Sequence, residues 1–146
     1  MTRKILVVLG ILAIMMVGCA YAADSADSLN NNTVTISGLN FTIPDGLAEN
    51  VEEAVINETD SDDGYKYVSN SRTFEDDEHV LVIGVSTFEQ NMTDDYLKGL
   101  GEVTTINNVT GQLDDMGFMS IFSYVQGDKV VVLTADSKNI IEEALI

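Results

Sequence analysis

The chain has no tryptophan, one proline, one histidine and one cysteine in 146 residues, and only 7 residues are lysine or arginine. Each scarcity removes a class of chemistry. Without indole rings there is little to stack a sugar, so a glycosidase reading has no support beyond carboxylates whose separation only a fold can set. A lone cysteine, Cys19, forms no intrachain disulfide framework. One histidine, His79, leaves a dedicated zinc centre short of its customary donors. It also means that any nucleophilic triad would have to be built on His79, and no Gly-x-Ser-x-Gly surrounds any serine. The shortage of basic residues against 24 acidic ones gives a net charge of −17. Such a field repels phosphate backbones and anionic lipid head groups, which argues against a nucleic-acid partner and against electrostatic docking on membranes.

What is present begins at the N-terminus. Arg3 and Lys4 precede an uncharged apolar run over 5–18, followed by Ala20-Tyr21-Ala22 and a polar start at Ala23-Asp24. A run of this length is too short to cross a bilayer stably, and small residues at −3 and −1 suit signal peptidase, so 1–22 reads as a signal peptide. The expectation is a protein secreted or displayed at the cell surface, with no membrane span once the signal is removed. A rival cleavage lies at Met16-Val17-Gly18-Cys19, which loosely matches a lipobox and would make Cys19 a lipidated first residue. The two readings differ in whether the protein is released or tethered.

Cleavage after Ala22 leaves 124 residues and, by removing Arg3 and Lys4, takes the net charge from −17 to −19. That length suits one domain with a sizeable core. The small polar stretch 23–32 reads as a flexible leader, and 33–146 as a single domain. Asn-x-Ser/Thr occurs at Asn31, Asn40, Asn57, Asn91 and Asn108, consistent with glycosylation outside the cytoplasm.

Alternation of polar and apolar residues predicts strands over 33–36 and 40–43. Leu47, Val51, Ala54 and Val55 recur at helical spacing and predict a short amphipathic helix over 47–56, followed by an exposed acidic loop over 58–64. Strands follow over 65–68 and 72–74 about a turn at Asn70-Ser71. The segment 79–88 is apolar on both faces, which predicts a strand near the centre of a sheet. A one- to two-turn helix is expected from Asn91 through Leu100. Strands over 102–107, 109–113, 118–125 and 129–135 have short turn-type connections, which favour antiparallel hairpins. Ile140, Ile141, Ala144 and Leu145 form one stripe of a terminal helix capped by Asp136 or Ser137. The fold class expected is α+β, a single antiparallel sheet of about five to seven strands with the C-terminal helix packed on one face.

Two constellations carry candidate chemistry. Glu58, Asp60, Asp62, Asp63 and Gly64 loosely resemble a calcium loop, although the glycine falls one place late for an EF-hand and Ser69 stands where its final Glu should be. Asp60, Asp62 and Asp63 are therefore the candidate ligands, with calcium the one cofactor suggested. His79, beside Asp76, Asp77 and Glu78, is the candidate general base of a hydrolase and should have a raised pKa.

The opening Ile36-Ser37-Gly38-Leu39-Asn40-Phe41-Thr42-Ile43-Pro44-Asp45-Gly46 resembles the I-x-G-x-x-F-x-I-P-x-G start of small uncharacterised secreted proteins of methanogenic archaea, and the Gly127-Asp128-Lys129 hairpin and terminal helix are similar to the same group. The resemblance implies an archaeal cell envelope and supplies no catalytic or binding residue. The function expected is a non-enzymatic domain for binding, adhesion or surface structure. Its partner would be an envelope component or extracellular ligand. The alternatives are calcium binding through the acidic residues, and hydrolysis using His79.

Overall fold

The structure, a computed structural model, describes residues 32–145. The predicted signal peptide, Cys19 and Asn31 lie outside these residues. Among the described residues, nine strands and one α-helix follow in the order β1 (Thr33–Ile36), β2 (Leu39–Thr42), β3 (Ala48–Asp62), β4 (Tyr65–Glu75), β5 (Val80–Phe88), β6 (Glu102–Ile106), β7 (Val109–Asp115), β8 (Ser120–Gln126), β9 (Lys129–Ala135) and α1 (Lys138–Ala144). Strands β3 to β9 form one seven-stranded sheet in the order β3-β4-β5-β9-β8-β7-β6, with every pair antiparallel. β1 and β2 form a separate hairpin. The expected α+β architecture is therefore the architecture found, with the opening hairpin as a second, smaller sheet.

The two faces of the large sheet are closed differently. On the first, Phe74, Leu81, Ile83, Val85, Val131, Leu133, Phe122 and Tyr124 meet Val34, Ile36, Phe41 and Ile43 of the hairpin and Ile140, Ile141, Ala144 and Leu145 at the C-terminus. This is the principal core. The helix stripe read from its spacing is the buried one. On the second face, Tyr67, Phe88, Ile121, Val130 and Val132 are covered by the connection 89–101, which carries Met92 and Leu97 across the sheet. β5 and β9 contribute side chains to both faces, which is why the apolar run over 79–88 lacks alternation. The hairpin turn of β1–β2 has Ser37 and Gly38 both at positive φ, the backbone that two-residue hairpins require.

Four expectations are corrected. The helix over 47–56 is strand: β3 runs from Ala48 to Asp62 on the edge of the sheet. Its helical spacing has a structural cause. Asn50 and Glu58 lie eight positions apart, whereas their partners Thr73 and Ser69 lie four apart, so the strand carries four surplus residues in two bulges. Bulges break the period of two, and here the broken period imitates 3.6. The acidic loop over 58–64 is mostly the end of the same strand, with only Asp63 and Gly64 in the turn. The turn at Asn70-Ser71 is absent because β4 pairs with β5 without interruption from Tyr67 to Glu75, and its small polar residues lie flat on the sheet. The helix over 91–100 shrinks to one 3-10 turn, Asp94–Leu97, and Gly99 at positive φ lies just beyond it.

Candidate functional site

The bulges of β3 create the most distinctive surface feature. They interrupt the β3–β4 ladder on either side of the Val55–Ser71 pair and set Val51, Ala54, Val55 and Ile56 opposite Thr35 and Ile36 of β1 and Ser37 of the hairpin turn. Between the two lies a cleft of about 360 Å³. Val51 and Ile56 are 69% and 75% exposed, so the wall is apolar and open to solvent, an unusual use of such side chains. Arg72 and Glu49 line the same cleft, paired in a fork in which Arg72 Nε donates to Glu49 Oε1 at 2.6 Å and Nη2 donates to Oε2. Arg72 also lies 5.6 Å from the centroid of the Phe74 ring. Asn70 Nδ2 donates to Ser37 Oγ at 3.2 Å, tying the hairpin to the sheet at the cleft's end. An apolar wall beside a planar charged pair can hold a ligand that is itself part apolar and part charged.

The acidic candidates distribute along β3. Asp62 is buried and accepts a hydrogen bond from Tyr96 Oη at 2.8 Å, while Asp60 is exposed and accepts from the Ser61 N–H at 2.7 Å. Asp63 sits in the exposed turn. Among the described residues no three His, Cys, Asp or Glu side chains gather where an ion could be held. Burial and the neighbouring carboxylates instead act on tyrosines: Tyr67 is pushed up to about 12, first by desolvation and then by Asp60 and Asp62. Tyr96 rises by desolvation and by its bond to Asp62. Its ring stacks edge-on against Tyr65 and Phe88, so one side chain closes the aromatic cluster and holds the buried carboxylate. Tyr96→Phe is expected to cost about 1.5–3 kcal/mol in urea unfolding, the worth of a hydrogen bond to a charged group. A loss below about 0.5 kcal/mol, the range of an ordinary surface change, would show that Asp62 does not depend on this hydroxyl.

His79 stands at the start of β5, exposed, with Nδ1 2.8 Å from Asp136 Oδ2. Asp136 Oδ1 also accepts from the Val80 N–H at 3.2 Å. Asp76 Oδ1 accepts from the His79 and Glu78 N–H groups, which lowers the Asp76 pKa. The bond to Asp136 raises the pKa of His79, assisted by the charges of Asp136, Asp76 and Glu78. The neighbours read from the sequence are present, but the main partner comes from the end of β9, 57 positions away. The geometry pairs this ring with a carboxylate.

The sign of the pH effect follows from the raised value. Protonated His79 is favoured in the folded state, so its contribution is fully present below the unfolded value near 6.5 and is lost as pH rises through the folded value. Stability is therefore expected to fall as pH rises above the unfolded value near 6.5, and His79→Gln is expected to flatten that part of the profile. An NMR titration giving His79 a pKa at or below 6.5 would contradict the pairing.

The acceptors Asn40, Asn57, Asn91 and Asn108 are all exposed. Asn57 sits at positive φ with its N–H on Asn70 Oδ1 at 2.9 Å, and Asn108 occupies the β6–β7 turn. Asn40 accepts from Thr35 Oγ1 at 2.7 Å across the small hairpin. No family model, no curated protein and no solved structure matches the chain.

Proposed function

We propose that this chain is a non-enzymatic binding domain working outside the cytoplasm, secreted or held at the cell envelope, and that the cleft between β1 and the bulged strand β3 is its contact surface. The observation that carries the reading is the cleft itself. An edge strand that only closes a sheet has no reason to present Val51 and Ile56 to water. Bulges of this kind re-aim side chains and end pairing where a strand edge would otherwise template aggregation. The partner is an envelope component or extracellular ligand that offers an apolar group to Val51, Val55 and Ile56 and a charge to the Glu49–Arg72 pair. The N-terminal signal pattern and the exposed sequon asparagines support the location.

The test is capture of host envelope components by the wild-type chain and by Val51→Asp/Ile56→Asp. These residues are already exposed, so the variant should melt within a few degrees of wild type. Retained components are expected to fall by about tenfold, the effect of losing roughly 1.4 kcal/mol of contact. Equal capture by both chains would remove the cleft from consideration. Hydrolysis of an ester, peptide or glycoside panel that vanished in His79→Ala would replace binding with catalysis.

A further inference from the structure

The two edges of the large sheet are guarded unequally. β3 carries two bulges and the acidic residues Glu49, Glu52, Glu53, Glu58, Asp60 and Asp62, the devices by which edge strands turn away a second strand. β6, at the opposite edge, has no bulge, no lysine and a single acid at its start. Its pairing with β7 runs without a register shift from Glu102 to Ile106, and Glu102 is the one charged residue between 102 and 113 in a chain of net charge −17. Val103 is 74% exposed. The turn fixes which backbone groups this edge offers. Asn107 and Asn108, both at positive φ, make a two-residue loop that closes on the Ile106–Val109 pair, so in the alternating antiparallel ladder Ile106, Thr104 and Glu102 exchange bonds with β7. The N–H and C=O groups of Val103 and Thr105 therefore point outward from the sheet, and among the described residues no strand lies beyond β6 to receive them.

We propose that β6 pairs with β6 of a second copy of this chain, antiparallel about a twofold axis at Thr104, so that the two sheets join edge to edge. The strand is complementary to itself in this register. Val103 of each copy stands opposite Thr105 of the other, and their outward N–H and C=O groups bond to one another with none left over. The cross-strand pairs are then Val103 with Thr105 and Thr104 with its own copy, β-branched residues that pack well on a pleated surface. Charge also selects the occupant. Two chains this acidic meet with least repulsion where carboxylates are sparse, and the stretch 102–113 is such a place. Glu102 stands opposite Ile106 and not its own copy, which keeps the two Glu102 residues about 14 Å apart along the strands, beyond the roughly 8 Å over which exposed charges act at physiological salt. The contact is small, so the dimer is weak, forming at about 0.1 mM chain. The proposal is independent of the cleft at β3, which lies at the opposite edge.

Sedimentation equilibrium of the protein as its host processes it, taken up to about 1 mM chain, tests the proposal. Wild type is expected to pass from the mass of one chain to that of two as concentration rises. Val103→Pro removes an outward N–H and leaves the β6–β7 bonds in place, so it is expected to weaken association at least about tenfold with an unchanged far-ultraviolet circular dichroism spectrum. Charge pairs then test the register. Val103→Glu/Thr105→Glu sets like charges opposite one another across the axis and is expected to weaken the dimer about tenfold, whereas Val103→Glu/Thr105→Lys sets opposite charges there and is expected to restore it to within about threefold of wild type. Both positions are exposed, so these variants keep the fold and decide the matter if Val103→Pro unfolds. A wild-type chain that stayed monomeric throughout, or one that associated no better than Val103→Glu/Thr105→Glu, would overturn the proposal. A dimer lost equally in both charge variants would overturn the register, and with it the twofold axis at Thr104.

Discussion

Truncation after Ser137 is expected to abolish cooperative unfolding. The residues removed include Ile140, Ile141, Ala144 and Leu145, which lie in the principal core with Ile141 and Ala144 fully buried. Each large side chain contributes roughly 1.5–3 kcal/mol by burial, so the loss approaches the whole stability of a domain this size, about 5–15 kcal/mol. The helix is also latched, since Asn107 Nδ2 donates to the carbonyls of Glu142 at 2.6 Å and Leu145 at 3.1 Å. Seven helical residues would not hold together without this face, because isolated helices of that length are marginal in water. The milder Ile141→Ala is expected to lose about 2–5 kcal/mol, enough to shift a urea midpoint without destroying the transition. A truncated chain that still unfolded sharply, at an unchanged midpoint, would show that α1 is an appendage.

The terminal helix and the central strand were legible because their burial patterns obey simple periods. Ile140, Ile141, Ala144 and Leu145 lie on one helical face, and the continuous run in β5 reports burial on both sides of a sheet. β3 was not legible for the opposite reason. Its four surplus residues move Val51 and Val55 out of step with β4, and nothing local distinguishes a twice-bulged strand from an amphipathic helix. The cleft was lost with it, because its wall exists only where the two bulges interrupt the ladder on either side of Val55. Val51, Val55 and Ile56 standing among glutamates were the available signal. Asp62 was named with Asp60 and Asp63 as a candidate calcium ligand, and the structure shows it buried and bonded to a hydroxyl that the sequence did not place beside it. Its partner Tyr96 arrives from a connection 34 positions away, and such encounters are set by topology. The same holds for His79, whose acidic neighbours in sequence were visible while Asp136 was not.

Gly111→Ala is expected to be among the most damaging single changes, although it adds only one methyl group. Gly111 lies in β7, buried beside the β8 backbone. A Cβ there would sit 2.3 Å from Ser123 O, 2.9 Å from Phe122 Cζ and 3.0 Å from Phe122 Cε2. The first of these contacts decides the magnitude. A ring can turn, whereas Ser123 O belongs to a strand paired on both sides, so relief requires β7 to part from β8. Ordinary overpacking costs about 1–3 kcal/mol, and a backbone clash inside a sheet belongs at or above the top of that range. Gly101 gives the internal comparison. A Cβ there would approach Leu113 O equally closely, at 2.3 Å, but Gly101 is exposed and precedes the edge strand β6, where the chain can yield. Gly101→Ala should therefore cost markedly less, within about 1–2 kcal/mol. The double variant Gly111→Ala/Phe122→Leu separates the two contacts. If the carbonyl governs, shrinking the ring leaves the loss in place and the two effects add in a thermodynamic cycle. If the ring governs, the double variant recovers most of the stability lost in Gly111→Ala, and the packing of β7 on β8 is softer than its pairing implies.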